Sequence, residues 1–238
     1  MSALIPPPLS VAKAIGIAFS DAWKPMLAAS ALSVSLASCS SVQPVKYQNL
    51  ASSSAMTANA KDEDGRTPFR FMDPNIDWHG YSAVALDPVA VYAGSDQQFD
   101  DLSEKDKAEL ASYMQDQFST ALSQKFKSGT SAAPGTLRIH LTLTGVESST
   151  PVLSTVSKIL PAGLVVNSVQ TARDKPAAFT GSVVYAVEIY DGPSGKLLSA
   201  FITKQYPWAE NVAASFGTLD AARAGIRTGA ETLTAQLQ

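Results

Sequence analysis

A second cysteine is missing. With Cys39 alone among 238 residues, the chain can close no internal disulfide and can build no multi-cysteine metal site. Histidine is nearly as scarce: His79 and His140 are the only imidazoles. Charge is thin, at 16% of residues, with 18 basic against 21 acidic side chains and a formal net of -3. That balance supplies no basic field for a phosphate backbone, so nucleic acid is excluded as a partner. It also supplies no polybasic contact for a membrane surface. A long apolar run is absent too. The uncharged run leading up to Cys39, Met26–Ser38, has 13 residues, four of them serine. It is too short and too polar for a bilayer span, which takes about 20 mainly apolar residues.

What is present is the composition of a folded protein, 45% hydrophobic and 8% aromatic, too apolar for a disordered chain. The first 38 residues carry Lys13 and Lys24 with Asp21 as their only acid, and then the uncharged run. Charge followed by a short apolar segment ending in small residues is the order of a secretory signal. The leader exceeds the usual length of about 15–30 residues, which either a misplaced start codon or a long charged region explains.

The leader ends in "LASCSS". Leu36-Ala37-Ser38-Cys39 resembles a bacterial lipobox: an apolar residue, two small ones, then cysteine. The resemblance implies cleavage between Ser38 and Cys39 and attachment of lipid, palmitate included, to Cys39. Each buried methylene contributes about 0.8 kcal/mol, so two or three acyl chains on one residue make a lasting anchor. Ser40 is similar to the export default of Gram-negative lipoproteins, in which an Asp at that place resembles a retention signal. The expected location is therefore the periplasmic face of the outer membrane. Removing residues 1–38 takes away Lys13, Lys24 and Asp21, leaving 16 basic and 20 acidic residues, a net of -4.

Residues 39–66 are rich in Ser, Ala, Asn and charge, without sustained period. They are expected to form a lipid-anchored flexible tether reaching roughly 25–30 Å. Tyr47 and Leu50 are the residues of this stretch able to dock. A single domain is expected over 67–238. It opens with the aromatics Phe69, Phe71, Trp78 and Tyr81, read as an irregular segment packing onto the domain, with a ligand-binding platform as the alternative. A strand over about 81–86 follows, interrupted at Asp87-Pro88 because proline lacks the ladder donor.

The next element has Ser103 as N-cap with Asp106 three residues on. Leu110, Met114, Phe118, Leu122 and Phe126 recur every four residues, the stripe of a helix with one buried face. Acids crowd its start and Lys125 and Lys127 its end, followed by Gly129, which suits the helix dipole. The acids Asp100, Asp101, Glu104 and Asp106 lack the spacing of a calcium loop. "TLRIHLTLT" from Thr136 alternates apolar and polar residues as a half-buried strand. His140 falls on its polar face, with no second ligand in the strand.

Residues 151–168 are apolar and broken by Pro161 and Gly163. They read as a buried crossover, or else as a loop meeting a membrane or partner. A hairpin follows, Ser182–Tyr190 and Lys196–Tyr206 about the turn Asp191-Gly-Pro-Ser-Gly195. "GPSGK" lacks the spacing and the following helix of a phosphate loop. A last helix starts near Thr218 with Leu219, Ala222, Ile226, Ala230, Leu233 and Leu237 as its stripe. Gly225 and Gly229 suit close packing, and Arg223 and Arg227 a solvated edge.

The order predicts an α+β two-layer domain: a mixed sheet of four or more strands with two amphipathic helices on one face. The lipobox, "FRFMDPNIDWHGYSAVALDPVAVY", the Ser103 helix, "TLRIHLTLTGV" and "GSVVYAVEIYDGPSGKLLSAF" together resemble the domain-of-unknown-function 3313 family of bacterial lipoproteins. That resemblance implies an envelope address and no known activity, catalytic residue or cofactor. The sequence carries no "GxSxG" and no metal motif. A non-enzymatic binding or assembly module of the envelope, with an envelope protein as partner, is therefore expected. The alternative is a periplasmic hydrolase or small-ligand-binding protein, with Asp73, Asp77 and His79 near Trp78 as its candidates. A His79 set far from any cavity would remove the enzyme, whereas one buried beside a carboxylate in a cleft would support it.

Overall fold

The computed structural model describes residues 42–99, 101–147, 181–207 and 219–237. By its contacts the chain divides into Met1–Ser38 and Cys39–Gln238. The first unit, Cys39 itself and the apolar 151–168 stretch lie outside the described residues.

In chain order the elements are β1 (Thr57–Ala58), β2 (Phe69–Met72), a 3-10 turn (Trp78–Gly80), β3 (Ala83–Leu86), β4 (Ala90–Val91), α1 (Glu104–Ser123), β5 (Lys127–Ser128), β6 (Thr136–Glu147), β7 (Ser182–Asp191), β8 (Leu197–Gln205) and α2 (Asp220–Gln236). The strands form one mixed sheet in the order β1-β2-β8-β7-β6-β3-β5, with β4 also on β6. β6, β7, β8 and β2 pair antiparallel, while β3 and β4 run parallel to β6. Asp87 and Pro88 separate β3 from β4, so one interrupted strand follows β6 in two pieces.

Both helices cover the same face. Leu110, Met114 and Phe118 of α1 and Ile226, Ala230 and Leu233 of α2 share one core with Leu137, Ile139, Leu141 and Leu143 of β6 and Val183, Tyr185 and Val187 of β7. The N-cap forms as its residues dictate: the Ser103 hydroxyl accepts from the Asp106 N–H and donates to its carboxylate. The C-terminus differs from expectation. α1 stops at Ser123, no basic residue falls in its last turn, and Lys127 enters β5. Phe126 still packs against the core from beyond the helix. At the other end of the core, α2 lies close on the sheet. A Cβ on Gly225 would stand 2.8 Å from the Gln205 carbonyl, so only glycine permits this approach.

The expected tether is instead packed. Tyr47, Leu50 and Met56 are buried, in a second core with Val184 and Ala186 of β7 and Ala200 and Ile202 of β8. These strand residues point away from the helices, so residues 42–56 form a strap across the opposite face. Burying such a side chain contributes about 1.5–3 kcal/mol, enough to order a segment with no secondary-structure period of its own. The aromatic segment is also more regular than expected. Phe69 and Phe71 sit in β2, between β1 and β8, and pack against this second core.

Among the described residues, no helix is long and apolar enough to cross a membrane.

Candidate functional site

His79 and His140 end in different surroundings. Asp77 caps the 3-10 turn, its carboxylate accepting the His79 N–H at 3.0 Å. The two side chains lie 3.8 Å apart and stand in solvent, more than four-fifths exposed. His79 lines neither the cavity under α2 nor the depression beside Glu188. Asp73 is buried elsewhere: it accepts the Asn75 N–H at 2.9 Å and pairs with Lys196. That lysine holds the Asp73 carboxyl below the ordinary carboxylate range. The trio joined by sequence is therefore taken up by local turns and one hairpin contact.

His140 has the richer site. The break at Pro88 turns the Asp87 carboxylate back onto β6, where it accepts from His140 Nε2 at 2.6 Å and Arg138 Nε at 2.9 Å. Across the β6–β7 ladder His140 stands opposite Glu188, and Arg138 opposite Tyr190. The His140 and Tyr190 rings meet edge to face at 5.3 Å. Burial and the Glu188 carboxylate push the Tyr190 phenol up to about 12. Glu188 is buried, and its Oε1 takes the Ser52 N–H from the strap at 2.6 Å. A depression of about 380 Å³ lies beside it, with Thr142 and Glu188 at its base and residues 49–51 and 90–94 as walls.

The acid partner of His140 comes from 53 residues back along the chain, and its cross-strand partner from β7. Sequence proximity pointed to neither. The Asp87-Pro88 interruption was the visible trace, since a strand break frees a carboxylate to turn. Chemically the cluster is an ion-paired brace: one carboxylate serves two donors, and a second ties the strap to the sheet. No group of three or more His, Cys, Asp or Glu among the described residues is placed to hold a metal ion.

The strap itself is held by polar contacts at both ends and its middle. The Asp96 carboxylate accepts the Gln48 N–H at 2.9 Å and the Tyr92 hydroxyl at 2.7 Å, and the Tyr92 oxygen accepts the Asn49 N–H. Tyr47 donates its hydroxyl to Gln98 Oε1 at 2.6 Å. At the first described residue, Lys204 Nζ donates to the Val42 carbonyl at 2.6 Å and faces Glu147 at 3.3 Å. Cys39 and Ser38 lie outside the described residues, three positions and more upstream of that contact.

The arginines expected along a solvated helix edge join the helices instead. Arg223 pairs with Glu109 and Asp220, and Arg227 donates to the Tyr113 hydroxyl at 2.9 Å. The Asp191–Gly195 turn forms as a turn, with Gly195 at φ +66° and the Asp191 carboxylate accepting the Ser194 N–H.

A family model described as "Protein of unknown function (DUF3313)" matches residues 46–233. No curated protein matches the chain. Among solved structures, a PelC variant dodecamer from Paraburkholderia phytofirmans aligns with 69% of this chain and 94% of its own, at 10% identity and a TM-score of 0.35. A second PelC dodecamer from the same organism covers 71% of this chain and 91% of its own, at 11% identity and a TM-score of 0.32. Scores this low carry no weight for fold or activity.

Proposed function

The chain belongs to the DUF3313 family of proteins of unknown function, and from that premise we propose that it is a lipid-anchored protein of the bacterial envelope whose domain binds a partner and catalyses no reaction. The observation that carries this reading is the junction at Cys39. The lipobox would leave the mature N-terminus at Cys39, and three residues on, at Val42, the chain is already docked on the sheet. A leader that is cut away and a domain that starts at once are what a lipoprotein of this kind needs.

The docking changes the geometry of the anchor. A free tether would let the domain stand roughly 25–30 Å off. Three residues separate Cys39 from Val42, a reach of at most about 10 Å. A lipid on Cys39 would therefore hold the β8 end of the sheet, near Lys204 and Glu147, against the bilayer. The outer membrane's periplasmic face is the location that Ser40 favours.

Binding is favoured over catalysis by how the reactive side chains are used. His79 is exposed beside Asp77, and His140 is engaged by Asp87 in a brace. The partner we propose is another envelope protein. Labelled palmitate fed to cells expressing the full chain should enter the protein, and Cys39→Ala should abolish labelling and release it from the membrane fraction. Unchanged labelling in the variant would overturn the anchor. Crosslinking in cells, followed by purification, should recover the same envelope protein repeatedly; no reproducible partner would count against the binding role.

A further inference from the structure

A groove of about 560 Å³ opens on the helix-bearing face, between the C-terminal half of α2, strands β8 and β2, and the 59–67 turn. We propose that this groove is a binding site for a neutral, hydroxyl-rich ligand of the saccharide class. The site does not depend on the anchor, because every residue forming it belongs to the folded domain.

Its volume falls in the range of small-ligand sites, about 300–1,000 Å³. Its chemistry is set by Tyr185. The residue is 2% exposed, its ring packs edge-on against Phe118 at 5.7 Å, and it edges the groove beside Gly229. A Cβ on Gly229 would stand 1.9 Å from the Tyr185 hydroxyl oxygen. Glycine at this place in the helix is what leaves room for that oxygen. The hydroxyl makes no hydrogen bond among the described residues, and burial raises the phenol pKa. It is thus a protonated donor with its bonding capacity unspent, at the wall of the groove where a ligand can reach it. An acceptor brought by a ligand would take up that donor.

The surrounding side chains are neutral and polar. Thr203 and Gln205 lie on the floor, Thr228, Thr232 and Gln236 along α2, and Asn59 at the turn. Some of their capacity is used internally: Gln205 Nε2 and the Thr67 hydroxyl both donate to Thr203 Oγ1, and the Thr232 hydroxyl donates to the Thr228 carbonyl. Amide and hydroxyl groups that remain can give and accept bonds at once, which matches sugar hydroxyls. Phe201, Leu233 and Met72 supply apolar surface for the C–H face of a ring. Met72 is 46% exposed, one of two large apolar side chains left so open among the described residues.

Charge argues against other ligand classes. The rim carries both signs, with Asp62 and Asp64 beside Lys61, Arg66 and Arg70. Arg66 is already paired with Asp64 at 3.1 Å and donates to the Tyr206 hydroxyl at 2.9 Å. With two carboxylates set among the three cations, the rim offers no field of one sign for a phosphate-bearing ligand. An acyl chain would strip water from the threonines and glutamines without pairing them, at a cost for each.

The test is a calorimetric titration of the full-length protein, in a detergent without a sugar head group, with maltohexaose, cellohexaose and chitohexaose in turn. Saturable binding of at least one is expected. Tyr185→Phe should weaken it about tenfold, the size expected for one lost buried hydrogen bond, and Thr232→Val should weaken it too. The second variant, exposed on α2, keeps the test open should Tyr185→Phe fail to fold. Glu104→Gln, outside the groove, should bind as the parent does. Absence of binding by all three oligosaccharides at millimolar concentration would overturn the proposal. So would binding that a folded Thr232→Val variant leaves unchanged, or saturable binding of inorganic phosphate alone. A failure here would leave palmitate labelling at Cys39 untouched, so the two readings fall separately.

Discussion

Lys204 Nζ lies 2.6 Å from the carbonyl oxygen of Val42, joining residues 162 apart in sequence where the strap reaches the sheet. The lysine side chain is only 10% exposed and also faces Glu147. Its charge is spent on fastening the start of the strap.

Lys204→Met should therefore free that end while keeping the stem's packing. Hydrogen bonds to charged groups contribute about 1.5–3 kcal/mol, so a loss of stability of about that size is expected in urea unfolding. Local release should exceed global loss. Trypsin cleavage at the exposed Lys46 should speed up markedly in the variant. Equal cleavage rates would show that the contact does not hold the strap.

The strap was the least legible part of the fold. Tyr47, Leu50 and Met56 stand singly in a polar background, three and six residues apart, so no period marks them. Their burial depends on β7 and β8, far along the chain. The signal lay in the strands: "SVVYAVEIY" is apolar at Val183 and Val187 and also at Val184 and Ala186. A strand apolar on both faces requires cover on both, and the two helices supply only one. By contrast α1, β6 and the hairpin follow from local pattern, because each buries one face with its own regular period. The Asp87–His140 pair was hidden for the same reason as the strap. Residues that meet through strand register have no fixed spacing in sequence.

Acid should loosen the strap before the helices. The Tyr92 hydroxyl, and then the Gln48 amide, hold the Asp96 carboxyl below its ordinary range. A lowered folded pKa gives stability that is present above the unfolded value, about 4, and lost as pH falls through the folded one. Asp73 and Asp191 are lowered as well, by Lys196 and Ser194 respectively, and carry the same sign. Stability measured from pH 6 down to 2.5 should fall below about pH 4. Asp96→Asn should show a shallower acid limb than the parent, and an identical limb would remove Asp96 from the account.

Gly229→Ala sets two effects against each other. Alanine is the better helix former by about 1 kcal/mol. Its Cβ, however, would fall 1.9 Å from the Tyr185 hydroxyl, and overpacking of this kind costs about 1–3 kcal/mol. Packing should win, with a lowered thermal midpoint. Gly80→Ala, where nothing lies within 4 Å, is the matched control and should leave the midpoint nearly unchanged. A stabilised Gly229→Ala variant would mean that α2 does not lie so close to β7.

The most direct test of the anchor is the intact N-terminus of the protein extracted from membranes, read by mass spectrometry. A mature chain that begins at Cys39 and carries acyl mass on that residue is the expected result. A chain that begins at any other residue, or an unmodified Cys39, would contradict it.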